Sequence, residues 1–125
     1  GTACVSEQAV IADKPIAREL KHELKLHGAY FMSSDEADRL AKVIFTGKQA
    51  MNPDRVGQAP EVLAELAGFS VPPRTKCLVS EETEIGWHRP LSAEKLNPVL
   101  AFYEAKDSGR NQVVAAQSPA ETTRN

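Results

Sequence analysis

The chain has 125 residues, 42% apolar and 26% charged, a length and mix that suit one ordinary globular domain with a single modest core. Its formal net charge of -2 gives no electrostatic reason to expect nucleic acid or an anionic membrane surface as partner. No apolar run nears the roughly twenty residues that span a bilayer, and no charged-then-apolar leader opens the chain, so the expected compartment is cytoplasmic.

The first residues, Gly1-Thr2-Ala3-Cys4-Val5-Ser6-Glu7-Gln8, set a cysteine among small neighbours just before a β-branched run. A thiol attacks a carbonyl as thiolate, and small residues such as Gly1 and Ala3 leave room for a substrate and for backbone N–H groups that hold an oxyanion. Cys4 is therefore the candidate nucleophile, against the plainer reading of a small buried hydrophobe. Cys4 and Cys77 are both expected to be free, because the cytosol keeps thiols reduced and a disulfide would remove the nucleophile. A redox-sensing role for Cys4 lacks a resolving partner nearby in sequence.

From Gln8 to Ala12 the apolar run Ala9-Val10-Ile11 reads as a short buried strand. Asp13 then caps a helix that begins near Lys14 and Pro15, carries an apolar stripe of Ile16, Leu20 and Leu24, and stops at Gly28. Ser33-Ser34-Asp35-Glu36 reads as a capping box opening a second helix with Ala37, Leu40, Ala41 and Ile44 inward and Gly47 at its end. Asn52-Pro53-Asp54 is a turn. Pro60 opens a third, shorter helix through Val62, Leu63 and Leu66 that stops at Gly68. Val71-Pro72-Pro73 is an extended connector. A second strand is expected from Thr75 to Ser80 with Cys77, Leu78 and Val79 buried, and a third from Val99 to Tyr103 after a loop from Trp87 to Pro98. Strands separated by helices predict parallel pairing through crossovers, hence an α/β fold with a mainly parallel sheet and flanking helices.

Other motifs are ordinary. His22 and His27 lie five apart on the first helix, which turns them about 140° from each other, so they suit the surface better than one metal ion. The stripe Lys14, Arg18, Lys21, Lys25 reads as a solvated helix face, and Glu81-Glu82-Thr83-Glu84 as a polar loop. There is no Gly-x-Gly-x-x-Gly and no Walker-type loop.

The opening segment resembles the nucleophile segment of the CoA-acylating aldehyde dehydrogenases, which usually reads Asn-Gly-x-x-Cys-x-Ser-Glu-Gln. Further similarity follows in the same order: His27-Gly28-Ala29-Tyr30-Phe31, Val56-Gly57-Gln58, Ala64-Glu65-Leu66-Ala67-Gly68-Phe69-Ser70-Val71-Pro72, and Glu94-Lys95-Leu96-Asn97-Pro98-Val99-Leu100-Ala101. It covers roughly residues 1 to 107 and is similar to the branch found in bifunctional aldehyde–alcohol dehydrogenases and in microcompartment enzymes, so a bacterial microcompartment is a second expected location.

The resemblance implies part of the cysteine-bearing catalytic domain of the aldehyde dehydrogenase fold, without its separate NAD-binding domain. It implies that Cys4 attacks a small aldehyde, that hydride passes to NAD, and that coenzyme A takes the acyl group from the resulting thioester. It assigns Glu94 to the nicotinamide ribose and Pro98 to fixing the loop. Relatives often carry an acidic residue before the proline at position 90 and a histidine before the glutamate, where this chain has Arg89 and Ala93. His88 and Trp87 are nearby alternatives.

Residues 108–125 depart from that family pattern and read as a polar, disordered tail, offering little to bury beyond Val113-Val114-Ala115-Ala116. A first residue that is Gly, with Cys4 so close to it, reads as a fragment. The isolated chain is then expected to be a poor enzyme, and an incomplete sheet favours self-association or association with a missing domain. The alternative is a non-catalytic remnant that acts through protein association.

Overall fold

The computed structural model describes residues 6–47 and 50–105 and the backbone of Val114–Ala115. Cys4 and most of the tail from 108 to 125 lie outside the described residues. In chain order the elements are β1 (Ala9–Ala12), α1 (Lys14–Leu26), β2 (Ala29–Phe31), α2 (Ser34–Ile44), α3 (Pro60–Ala67), β3 (Cys77–Glu81), β4 (Glu84–Ile85), β5 (Val99–Glu104) and β6 (Val114–Ala115). Short 3₁₀ turns occupy Pro53–Arg55 and Pro90–Ser92.

Among the described residues the main sheet has the order β1-β5-β3-β2, and every pairing is parallel. Ala9 lies opposite Ala101, and Leu78 opposite Val99. A parallel sheet is buried on both faces because its crossovers return over them. Successive strand residues therefore feed different cores. Leu78 and Val99 join Leu40, Ile44 and Leu63 on the α2–α3 side, whereas Val79 and Phe102 join Ala17, Leu20 and Leu24 beneath α1. β4 and β6 form a separate parallel pair.

The helix starts follow their local chemistry. Ser33 Oγ accepts from the Glu36 N–H at 3.2 Å, while Glu36 Oε1 accepts from the Ser33 N–H at 2.9 Å, so the capping box is complete. α3 begins on Pro60 and ends at Gly68 with φ +86, the left-handed stop that glycine accommodates. At the other turn, Gly28 has φ +101, and a Cβ there would sit 3.0 Å from Lys76 Cγ and 3.3 Å from the Arg74 carbonyl oxygen. The close approach lets the Gly28 carbonyl accept from the Lys76 N–H at 2.7 Å, which seats β2 beside β3.

Several faces differ from expectation. Ile16 is 51% exposed, and Ala17 takes its place under α1. Steps of four advance 400°, so 16, 20 and 24 drift round the helix, whereas 17, 20 and 24 stay within about 60°. On α3 the buried face is Leu63, Ala64 and Ala67; Val62 and Leu66 are 41% and 47% exposed. Leu63 and Ala67 of α3 share a core with Leu40 and Ile44 of α2. Gly47 lies beyond the end of α2, which Phe45 terminates by turning extended and bridging to Met51. β2 was hidden from the sequence pattern because three residues are too few to display a period.

These contacts set two expected outcomes in urea unfolding of the chain. Leu63→Ala lowers stability by about 2–5 kcal/mol and Leu66→Ala by less than about 1 kcal/mol. Ser33→Ala, which breaks the capping box, costs about 1 kcal/mol.

Candidate active site

Parallel pairing of β1 with β5 sets the residues that enter β1 beside those that enter β5. The sequence after Cys4 thus meets the loop that carries Glu94 and Pro98. Lys95 joins them. Its ammonium donates to the carbonyl oxygens of Leu91 at 2.7 Å, Ala93 at 2.9 Å and Gln8 at 3.3 Å, and its backbone N–H donates to Gln8 Oε1 at 3.1 Å. Lys95 is 0% exposed. Burial lowers its pKa to about 8, against the opposing pull of the Glu82 carboxylate, so the amine holds its proton at neutral pH. No sequence signal separated Lys95 from a surface lysine; only the strand order encloses it.

Ser6 and Glu7, which follow Cys4, line a cavity of about 390 Å³ together with Cys77, Asn97, Pro98 and Leu100. Cys77 is half-buried, and burial pushes its thiol up. Asn97 donates from Nδ2 to the Arg55 carbonyl at 3.2 Å, while its buried Oδ1 has no partner among the described residues. The Leu96 carbonyl accepts from the Gly57 N–H at 3.1 Å. Pro98 is half-buried, and its carbonyl accepts from the Leu78 N–H at 2.9 Å, which sets the entry to β5. Glu94, immediately before the enclosed Lys95, is exposed and makes no hydrogen bond or ion pair among the described residues. The structure therefore joins the Gln8, Val56–Gln58 and Glu94–Pro98 segments around one loop, with Cys4 outside the described residues.

A second polar group lies next to this clamp. Glu82 is 4% exposed; Ser80 Oγ donates to one carboxylate oxygen, and Arg89 Nε donates to the other at 2.5 Å. The polar-loop expectation for Glu81 to Glu84 is thus corrected at Glu82, which turns inward because Ser80 and Arg89 partner it. The hydrogen bond to Glu82 holds the Arg89 guanidinium above its ordinary pKa, and burial raises the Tyr103 phenol beside the same carboxylate. His88 Nε2 lies 3.5 Å from Glu84, and Trp87 packs edge-on against Phe45; neither lines the cavity next to Ser6. His27 lies 3.9 Å from Glu23. On the basic stripe, Lys21 pairs with Glu81 and lies over the Phe102 ring, while Lys25 lies over Phe31. Part of that face therefore seals the seam between α1 and the sheet.

No protein-family model matches the chain. It is 43% identical over 105 residues to an aldehyde-alcohol dehydrogenase of Clostridium acetobutylicum, covering 84% of this chain and 12% of that protein. The structure superposes with a TM-score of 0.81 on an acetylating aldehyde dehydrogenase from Geobacillus thermoglucosidasius at 46% identity, covering 85% of this chain and 23% of that one. A propionaldehyde dehydrogenase from Rhodopseudomonas palustris with bound coenzyme A and an acylated cysteine matches with a TM-score of 0.70 at 26% identity, covering 82% and 23%. The chain thus spans a small part of each relative's length. In sequence and in fold, it is a homologue of one segment of the acylating aldehyde dehydrogenases.

Proposed function

We propose that this chain is the thiol-bearing part of an NAD-dependent, CoA-acylating aldehyde dehydrogenase, with Cys4 as nucleophile, Glu94 as the carboxylate that receives the nicotinamide ribose and Pro98 as the residue that fixes the loop. The observation that carries the reading is the bonding of Gln8, four residues beyond Cys4, to Lys95, the neighbour of Glu94. A thiol segment and a ribose-binding carboxylate serve one reaction only if the fold holds them together, and the bonding of Gln8 to Lys95 supports that reading. The acylated cysteine and coenzyme A in the Rhodopseudomonas relative support the same chemistry.

The residues present suit these cosubstrates. An exposed carboxylate without a partner among the described residues is free to accept from two ribose hydroxyls. Asn97, whose buried Oδ1 has no partner among the described residues, is one of the residues that line the cavity. In the proposed reaction the Cys4 thiolate adds to the aldehyde carbon to form a thiohemiacetal alkoxide. The carbon–hydrogen bond then breaks, with its electron pair passing as hydride to NAD⁺, and the alkoxide collapses to a thioester on Cys4. Coenzyme A thiolate attacks that carbonyl, and the Cys4 thiolate leaves. A thiol nucleophile needs less activation than water, so this deacylation requires no strong general base on the chain.

A second reading, a non-catalytic remnant acting through association, is favoured by the position of β1 at the sheet edge among the described residues, where Ile11 is 55% exposed. Stoichiometric labelling of Cys4 without turnover would support it.

The deciding experiment follows NAD⁺- and CoA-dependent oxidation of short aldehydes by the chain, alone and supplemented with the nucleotide-binding part of a relative. Turnover is expected in the supplemented arm, and Cys4→Ala reduces it by about 10³-fold or more; unchanged turnover in that variant overturns the assignment. Glu94→Gln, which weakens charge-assisted hydrogen bonds of about 1.5–3 kcal/mol, lowers kcat/KM for NAD⁺ by about 10- to 100-fold.

A further inference from the structure

We infer that Lys95 is a positioning residue for the thiol chemistry: one enclosed side chain ties the backbone that follows Cys4 to the loop that carries Glu94. The inference rests on the proposed function and assigns to Lys95 a role that the cosubstrates themselves do not require. Two bonds from a single residue converge on Gln8, one to its main-chain oxygen and one to its side-chain oxygen, so both the position and the orientation of that residue are fixed. The ammonium also gathers the Leu91 and Ala93 carbonyls of the loop. An apolar side chain of similar volume would fill the same space without the desolvation cost of a buried cation, and such replacements are often neutral for stability. What it would lose is the link between two segments that are distant in sequence.

The charge on Lys95 is sustained by named neighbours. Its side chain is wholly enclosed, so water contributes little. The three carbonyl oxygens accept from the protonated form, and the Glu82 carboxylate favours it. Glu82 is itself held by Ser80 and Arg89, with the Tyr103 phenol beside it and in turn bonded to Ser92. Because the folded-state pKa of about 8 lies below the 10.5 of an ordinary lysine, the unfolded chain binds more protons between these values. Stability contributed by this group therefore rises as pH rises through that window.

Lys95→Met tests the clamp in the complete chain. At pH 7, iodoacetamide labelling of Cys4 and Cys77 is followed separately by peptide mass spectrometry, and kcat is measured in the supplemented assay. With the clamp gone, Cys4 is expected to label about fivefold faster or more while Cys77 keeps its rate, and kcat falls about tenfold. From pH 8 to pH 10 the melting temperature of the parent gains a few degrees relative to that of the variant, because the raised Cys77 thiol and tyrosine phenols, whose contributions fall as pH rises, are common to both. A merely stabilising lysine would change melting without the selective change at Cys4. Labelling and kcat within twofold of the parent in folded Lys95→Met overturn the inference. If that variant does not fold, Gln8→Ala removes the bond to the Lys95 N–H and is expected to shift both readouts in the same directions; no shift there overturns it equally. If Cys4→Ala keeps turnover, the proposed function fails, while the labelling ratio still reports on the clamp.

Discussion

β5 is hydrogen-bonded on both sides, to β1 and to β3, and both pairings are parallel. Parallel strands start at the same end of a sheet, so the segments entering β1, β3 and β5 have to share that end. This constraint brings Ser6–Gln8, Lys76–Cys77 and Lys95–Pro98 together from three distant parts of the chain, and Ser6, Glu7, Lys76, Cys77, Asn97 and Pro98 line one cavity. The helices serve the arrangement from either face. α1 closes the face that bears Val79 and Phe102, and α2 with α3 closes the face that bears Leu78 and Val99.

The cost of this convergence is buried charge, and it is offset locally. Lys95 and Glu82 are both withdrawn from water, where isolated ions would be strongly disfavoured. Each is saturated by short-range partners: Lys95 by three carbonyl oxygens, Glu82 by a hydroxyl and a guanidinium. Arg89 neutralises Glu82 from the neighbouring segment. Glu94, one residue before the enclosed Lys95, stays exposed.

The local grammar of the helices was legible. Ser33 and Glu36 satisfy each other across one turn, and Gly68 adopts the positive φ that a helix stop requires, since both depend only on residues within a few positions. The faces were less legible. Ile16, Val62 and Leu66 are as apolar as the residues that did go inside, and their exposure follows from where α1 meets the sheet and how closely α3 approaches α2. β2 escaped notice because three residues show no period, and what makes them a strand is the edge offered by β3.

By itself, the sequence determined the α/β class, the Ser33–Glu36 capping box, the stop at Gly68 and the string of blocks shared with acylating aldehyde dehydrogenases, because each is written in residues close together along the chain; Asp13 precedes α1 without a side-chain cap bond, and α2 ends at Phe45, before Gly47. Only the tertiary structure decided that Gln8 meets Lys95, that Gly57 meets Leu96 and that Glu82 turns inward to Arg89. Those contacts link residues 87, 39 and 7 positions apart through the order and parallel direction of the strands, and no local pattern encodes that order.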